Sequence, residues 1–251
     1  DIIQCLLGKD CLGMEKTNTM SKLYFNDGKK NKIETQLNNI NLSIPIKWKW
    51  EKKYNEDWHL TWQKNFKPVI INNKLAVIPY WQKNSKENIV IKIKPGMAFG
   101  TGHHETTWLM LQQIMVNVKP NMSVLDLGTG SGILSIAAFK MGAKIVDSIE
   151  NDKDCLNNFN ENLKLNNIES NIQYHEQNLI NWDQFDYDII LANINKHVIK
   201  KLIPKLKHNK NTIILSGLLE TDYISINKLF NKYNLKIKNK FTKGEWICIT
   251  L

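Results

Sequence analysis

The 251-residue sequence contains no arginine, although its formal net charge is +10. Its cationic side chains are lysines, and lysine, asparagine and isoleucine are used heavily along the whole chain, as an AT-rich coding bias would produce. A phosphate-binding face concentrates basic residues, and arginine supplies the commonest bidentate contact to a base edge. Charge alone therefore defines no nucleic-acid surface here. Cysteine is scarce and scattered: Cys5, Cys11, Cys155 and Cys248 form no C-x-x-C pair with metal or redox spacing. That usage fits a reduced, cytosolic compartment. Long apolar runs are also missing, since Ile133 to Phe139 is broken by Ser135 and falls far short of the roughly 20 residues of a membrane helix. No secretory signal is expected from the stretch that follows Asp1, and the absence of an initiator methionine suggests that residues precede it. Against these absences stand 42% apolar and 23% charged residues, enough to bury the core of one large or two modest domains and to exclude a disordered chain.

Residues 1–80 read as a small α+β unit of short elements: an apolar start at Ile2 to Leu7, a break at Gly13, a polar run from Asn26 to Lys32, then alternation from Leu42 to Trp50. Trp58, Trp62 and Phe66 stand four apart, which predicts one buried face of a helix stopped by Pro68. Residues 81–95 are expected to link this unit to a second domain over 96–251, with a short strand or linker from Ile89 to Lys94. From Ser123 onward strand-like and helix-like segments alternate as in a parallel sheet flanked by helices. Expected strands cover Ser123 to Leu127, Lys144 to Glu150, Ile172 to His175, Tyr187 to Ala192 and Thr212 to Leu215. Expected helices cover Trp108 to Val116, Ile133 to Met141, Asp152 to Leu165, His197 to Leu206 and Glu220 to Phe230. Leu235 to Phe241 and Trp246 to Leu251 then predict an antiparallel hairpin at the sheet edge, around Thr242-Lys243-Gly244.

The chemistry concentrates in Val124-Leu125-Asp126-Leu127-Gly128-Thr129-Gly130-Ser131-Gly132, a strand entering a glycine-rich turn and then a helix. Glycines there permit positive φ and let a ligand lie on the backbone beside a helix N-terminus. Gly128, Gly130 and Gly132 are spaced by two, unlike the dinucleotide fingerprint, and an acid precedes them. Asp126 serves a pyrophosphate poorly and suits a ligand carrying an ammonium group and a sugar. Glu150 closes the next strand, where a carboxylate can accept from both ribose hydroxyls. Turn, acid and terminal hairpin together resemble the class I S-adenosylmethionine-dependent methyltransferases, with a mostly parallel, Rossmann-like seven-stranded sheet.

Just upstream, Lys94-Pro95-Gly96-Met97-Ala98-Phe99-Gly100-Thr101-Gly102-His103-His104-Glu105-Thr106-Thr107 packs three glycines around one aromatic before a helix, which Thr106 or Glu105 could cap. Chain proximity places this loop over the glycine turn as a lid. Loop and turn together resemble the ribosomal protein L11 methyltransferase family, the PrmA type. The resemblance runs over nearly the whole chain: Trp58, Trp62, Phe66 and Pro68 in its amino-terminal domain, Pro79-Tyr80-Trp81 at the linker, Leu191-Ala192-Asn193-Ile194 at a strand end, and Gly244-Glu245-Trp246 in the hairpin. It implies a ferredoxin-like first domain lacking its first strand. It also implies S-adenosylmethionine as cofactor, held at Thr107, Gly128, Glu150 and Asn193, with Asp126, Gly130 and Gly132 in the same turn, and no metal. The implied reaction is N-methylation of lysine, and possibly α-amino, groups of a ribosomal protein of the L11 type, free or on the ribosome. On that reading Asn193 orients the amine, Phe99 forms an apolar wall, and His104 accepts a proton or belongs to the lid. The chain is expected to be a cytoplasmic monomer that meets nucleic acid only through the ribosome. Ile194-Asn195 follows Asn193 where base-modifying enzymes carry Pro-Pro and a stacking aromatic, which favours a protein amine. A methyltransferase of RNA or of a small molecule, or a non-catalytic nucleoside- or RNA-binding module, is the alternative.

Overall fold

The computed structural model describes residues 11–16, 21–25, 28–38, 48–51, 66–96, 98–207 and 211–251. The expected Ile2–Leu7 segment, Trp58, Trp62 and most of the Leu42–Trp50 alternation lie outside them. The chain divides into two compact units, Asp1–Asp57 and Trp58–Leu251. In the first, β1 (Cys11–Lys16) pairs antiparallel with β2 (Ser21–Phe25), and α1 (Lys30–Asn38) follows. Ile33 of α1 is fully buried, and the Phe25 ring meets Trp50 edge-on at 6.1 Å.

The second unit begins earlier than the boundary expected near residue 80. β3 (Val69–Ile71) and β4 (Leu75–Pro79) form a hairpin, and β5 (Ile89–Ile93) adds in parallel to β4. Asn72 and Asn73 make the hairpin turn with φ of 50° and 53°, the left-handed conformation that asparagine tolerates best among residues with a side chain. Of the two alternatives for Ile89 to Lys94, a short strand or a linker, the structure shows the strand. All five residues of β4 are buried, because β4 lies between two strands and packs against the main core.

That core surrounds a seven-stranded sheet. Along the chain it is built from α2 (Glu105–Asn117), β6 (Ser123–Leu127), α3 (Ile133–Lys140), β7 (Ile145–Glu150), α4 (Lys153–Leu165), β8 (Ile172–Glu176), β9 (Ile189–Asn193), α5 (Lys196–Leu206), β10 (Thr212–Leu219), α6 (Tyr223–Lys232), β11 (Asn239–Lys243) and β12 (Trp246–Thr250). The spatial order is β11-β12-β10-β9-β6-β7-β8, with β6 to β10 parallel and β12 antiparallel to both its neighbours. One face packs Leu109, Ile114, Ile136 and Phe159 from α2, α3 and α4, and the other packs Ile199, Leu202, Ile226 and Phe230 from α5 and α6. Successive strand residues alternate between these two faces, which explains why β6, β7 and β9 are buried along nearly their whole length.

Most elements match their expected spans within two residues; α2 begins three residues earlier than expected and α6 three later, and two strands differ by four. β10 runs past Gly217 to Leu219, since Gly217 takes φ of 87° in a bulge between Leu215 and Leu218. β11 starts at Asn239 rather than Leu235, because Leu235 is buried and its N–H bonds Phe230 O at the end of α6.

Candidate active site

The chemistry-bearing residues gather at the carboxyl edge of β6, β7 and β9, where parallel sheets build their sites. β6 ends in the glycine turn, and Gly128, Gly130 and Gly132 all have positive φ, of 77°, 53° and 82°. Close packing adds a second constraint. A Cβ on Gly128 would stand 2.5 Å from Ile194 Cγ2, and one on Gly130 would stand 2.7 Å from the carbonyl oxygen of Phe99. A Cβ on Gly132, the N-cap of α3, would meet the Phe159 ring at 2.7 Å. The turn therefore presents bare backbone at its strand-to-helix bend, closed in by residues from β9's end and from the upstream loop.

Glu150 ends β7 one strand away. Its Oε2 accepts from Gly130 N at 3.2 Å, and its Oε1 accepts from Asn151 N at 2.9 Å and Asp152 N at 3.1 Å. These bonds fix the carboxylate beside the turn, and the oxygens keep lone pairs to accept hydroxyls. Asp126, expected among the cofactor contacts, is instead fully buried beneath the turn. Its Oδ2 accepts from Thr129 Oγ1 at 2.7 Å and Ser135 Oγ at 2.6 Å, while Oδ1 has no partner. Burial pushes its carboxyl up to about 6, against the lowering effect of the two hydroxyls. Asp126 thus shapes the turn from below.

The upstream loop lies on the turn through backbone contacts. Ser131 N donates to Phe99 O at 3.0 Å and Ser131 Oγ to Gly100 O at 2.7 Å. Phe99 itself is 54% exposed, an apolar ring presented to solvent at the site's mouth. His104, not Thr106 or Glu105, caps α2: its Nδ1 receives Thr106 N at 3.3 Å and pairs with Thr106 Oγ1 at 2.8 Å. Its ring stands edge-on to Phe99 at 5.4 Å and to Trp246 at 4.8 Å. Nδ1 is thus occupied in the cap, and the ring is a packing member of an aromatic cluster. The neighbouring His103 turns elsewhere, with Nε2 2.9 Å from Lys67 O and its ring 4.3 Å from Phe66. Among the described residues no group of three His, Cys, Asp or Glu side chains could hold a metal.

Asn193, the last residue of β9, donates from Nδ2 to Thr107 Oγ1 at 3.4 Å. Thr107 is fully buried in the first turn of α2. The link joins loop, helix and strand end, and leaves Asn193 Oδ1 free to accept. Trp246 was not legible as a member of this site, since only the fold brings it to His104. Gly217 was equally hidden: a Cβ there would lie 2.1 Å from Ile194 O, so a glycine on β10 lets the chain leaving Asn193 pass.

A glycine-lined bend, a carboxylate at the end of the adjacent strand and an amide at the next strand end, all on a sheet of this order, define a class I methyltransferase that uses S-adenosylmethionine. The residues fit that group: the turn is bare of side chains, and the Glu150 carboxylate, held beside it, has acceptor capacity left for hydroxyls. The chain belongs to the family described as Ribosomal protein L11 methyltransferase (PrmA), which it matches over residues 5–251. It is 35% identical over 229 residues to a ribosomal protein L11 methyltransferase of Prochlorococcus marinus (strain MIT 9312), covering 87% of this chain and 76% of that one. A protein of the same description from Staphylococcus haemolyticus (strain JCSC1435) is 33% identical over 237 residues, covering 91% of this chain and 76% of its own. The crystal structure of ribosomal protein L11 methylase from Lactobacillus delbrueckii subsp. bulgaricus superposes with a TM-score of 0.68 at 32% identity, covering 74% of this chain and 97% of that one. No helix among the described residues is long and apolar enough to cross a membrane.

Proposed function

We propose that this chain N-methylates lysine side chains, and the α-amino group as well, of ribosomal protein L11, acting in the cytoplasm as a monomer that meets nucleic acid only through the ribosome. Asn193 carries the reading: its amide is tied to Thr107 on one side, while its free Oδ1 faces the role of an amine acceptor. S-adenosylmethionine supplies an electrophilic methyl on a sulfonium sulfur. Thr107, Gly128, Gly130, Gly132, Glu150 and Asn193 would hold it, with Asp126 supporting the turn. Asn193 Oδ1 would accept one N–H of the substrate amine and so aim the nitrogen lone pair at the bound cofactor. Phe99 excludes water from that path and favours the neutral amine, since an unperturbed lysine with a pKa near 10.4 is almost fully protonated at neutral pH. His104 positions Phe99 and α2 rather than taking the proton, which leaves with solvent.

Asn195 supports the choice of a protein amine over a nucleic-acid base. Where a flipped base would need an aromatic platform, its Oδ1 accepts Val198 N at 3.1 Å and caps α5. The test is mass spectrometry of purified L11, free and within ribosomal subunits, after incubation with the protein and S-adenosylmethionine. Methyl increments on lysines and the amino terminus are expected. Cofactor binding by calorimetry with no increment on L11 would overturn the proposal, and increments on RNA instead would reassign the substrate.

A further inference from the structure

One face of α4 and its C-cap carries Asn158, Asn162 and Asn166, spaced by four and 8%, 0% and 8% exposed. Asparagine is a poor interior residue unless its amide is used, and every amide group of these three except the Asn158 oxygen has a partner. Here the three amides run along the outer edge of β5 and its continuation. β5 pairs with β4 on one side only, so Lys92 and Lys94 point their N–H and C=O groups away from the sheet. Asn166 meets Lys92 as a strand neighbour would, accepting its N–H at 3.0 Å and donating to its oxygen at 2.7 Å. At Lys94 the work is divided: Asn162 Oδ1 accepts the N–H at 2.8 Å and Asn158 Nδ2 donates to the oxygen at 2.8 Å. The helix replaces the missing strand.

Asn162 does more than cover an edge. Its Nδ2 donates to Ser131 O at 2.8 Å, within the glycine turn. Ser131 in turn grips the loop from Lys94 to His104 at its crown, through Phe99 O and Gly100 O. A single buried amide therefore touches both the root of the loop and the turn on which its crown rests. Gly96 follows the root so closely that a Cβ there would stand 3.1 Å from Asn158 Nδ2.

We infer that Asn162 is a positioning residue of the methyl-transfer site, registering the Phe99 loop against the glycine turn, whereas Asn166 serves the fold alone. The inference rests on the cofactor-binding reading above and assigns the site a support that lies outside it. Both halves of the amide are needed. Asn162→Leu leaves Lys94 N and Ser131 O unpaired. Asn162→Asp keeps the acceptor but sets a carboxylate oxygen against Ser131 O. Burial favours the protonated acid, which can donate to Ser131 O while still accepting from Lys94, so this variant recovers as pH falls.

The experiment compares Asn162→Leu, Asn162→Asp and Asn166→Leu with wild type in two readouts: hydrogen exchange of residues 98–102 in the cofactor-free protein, and the dissociation constant for S-adenosylmethionine by calorimetry. For Asn162→Leu, exchange protection should fall and the dissociation constant rise by about tenfold each, as for a lost buried hydrogen bond. Asn162→Asp should match it at pH 8 and move back toward wild type at pH 5.5 in protection factor. Asn166→Leu should lower the melting temperature yet keep both readouts within about twofold of wild type. Equal behaviour of the Asn162 and Asn166 variants, or wild-type values in both Asn162 variants, overturns the inference. A wild-type protein that binds no cofactor instead overturns the functional reading, while the exchange comparison still decides whether Asn162 registers the loop.

Discussion

Asn193 holds a donor already used on Thr107 and an acceptor still free, so substitutions can separate binding from chemistry. Asn193→Ala should lower turnover roughly a hundredfold, as for a misplaced nucleophile, with a much smaller rise in the cofactor dissociation constant. Asn193→Asp keeps the size but adds a charge that holds the substrate lysine as ammonium, so its deficit should be largest near neutrality and shrink toward the amine pKa. Initial methylation rates from about pH 7 to 10 at saturating cofactor check both, and wild-type turnover in the two variants would reduce Asn193 to a strand end. Asp126 makes a prediction about stability instead. Burial lifts its carboxyl from the ordinary 3.8 to about 6, so the native state holds the proton more tightly than the unfolded chain does. The contribution is fully present below the unfolded pKa and is lost as pH rises through the folded one. Wild type should therefore lose up to ~3 kcal/mol relative to Asp126→Asn between about pH 4 and 6, then run parallel to it. Urea unfolding of the pair across that range measures the difference, and parallel curves throughout would mean that the buried carboxyl is not strained by desolvation.

At the scale of the element, the turn between β6 and α3 works because two chain segments close on it. A side chain at Gly130 must displace backbone, the Phe99 carbonyl, and not a yielding side-chain tip. Gly130→Ala should thus already push the loop away and weaken cofactor binding at least about tenfold, with Gly130→Val worse because branching further disfavours positive φ. Calorimetry on a variant that retains wild-type circular dichroism tests this, and unchanged affinity would place the ligand elsewhere. The turn was legible because its demands are local: three glycines at spacing two, an acid before them and another at the next strand end. The alternating strands and helices were legible for the same reason, each carrying its own apolar period and its own turn residues. What stayed hidden depends on distant partners. Asp126 looked like a ligand group until Ser135 and Thr129 were found beneath it. The strand expected to stop at Leu215 continues through Gly217, a bulge that makes room for Ile194. His104 read as a proton acceptor or a lid residue, and neither reading contained the packing of its ring on Trp246, far along the chain, or the capping of α2 by its Nδ1.

At the scale of the whole molecule, the division between Asp57 and Trp58 decides how the chain should be cut to ask what its first unit does. A cut at Pro79, suggested by composition, would remove β3 and β4 from the three-stranded sheet. Leu75 and Val77 are fully buried and belong to the same core cluster as Leu109, Ile136 and Phe159, so that truncation would open the main core. It would also strip β5 of its one strand partner, leaving Ile91 and Ile93, now fully buried, facing water. Burying side chains of this size is worth about 1.5–3 kcal/mol each, so losing several exceeds the margin of a typical domain. Removal of residues 1–57 leaves all three strands, the seven-stranded sheet and every residue assigned to the cofactor in place. We expect that shorter protein to bind S-adenosylmethionine within about twofold of the full chain and to melt cooperatively. If the first unit docks the protein substrate, methylation of L11 should fall by two orders of magnitude or more in kcat/KM, roughly the worth of a modest docking surface, with cofactor affinity retained. Calorimetry and initial-rate assays on the two lengths of chain decide it. Undiminished kcat/KM for L11 would show that the catalytic unit alone recognises its substrate, and lost cofactor binding would show that the first unit contributes to the site itself.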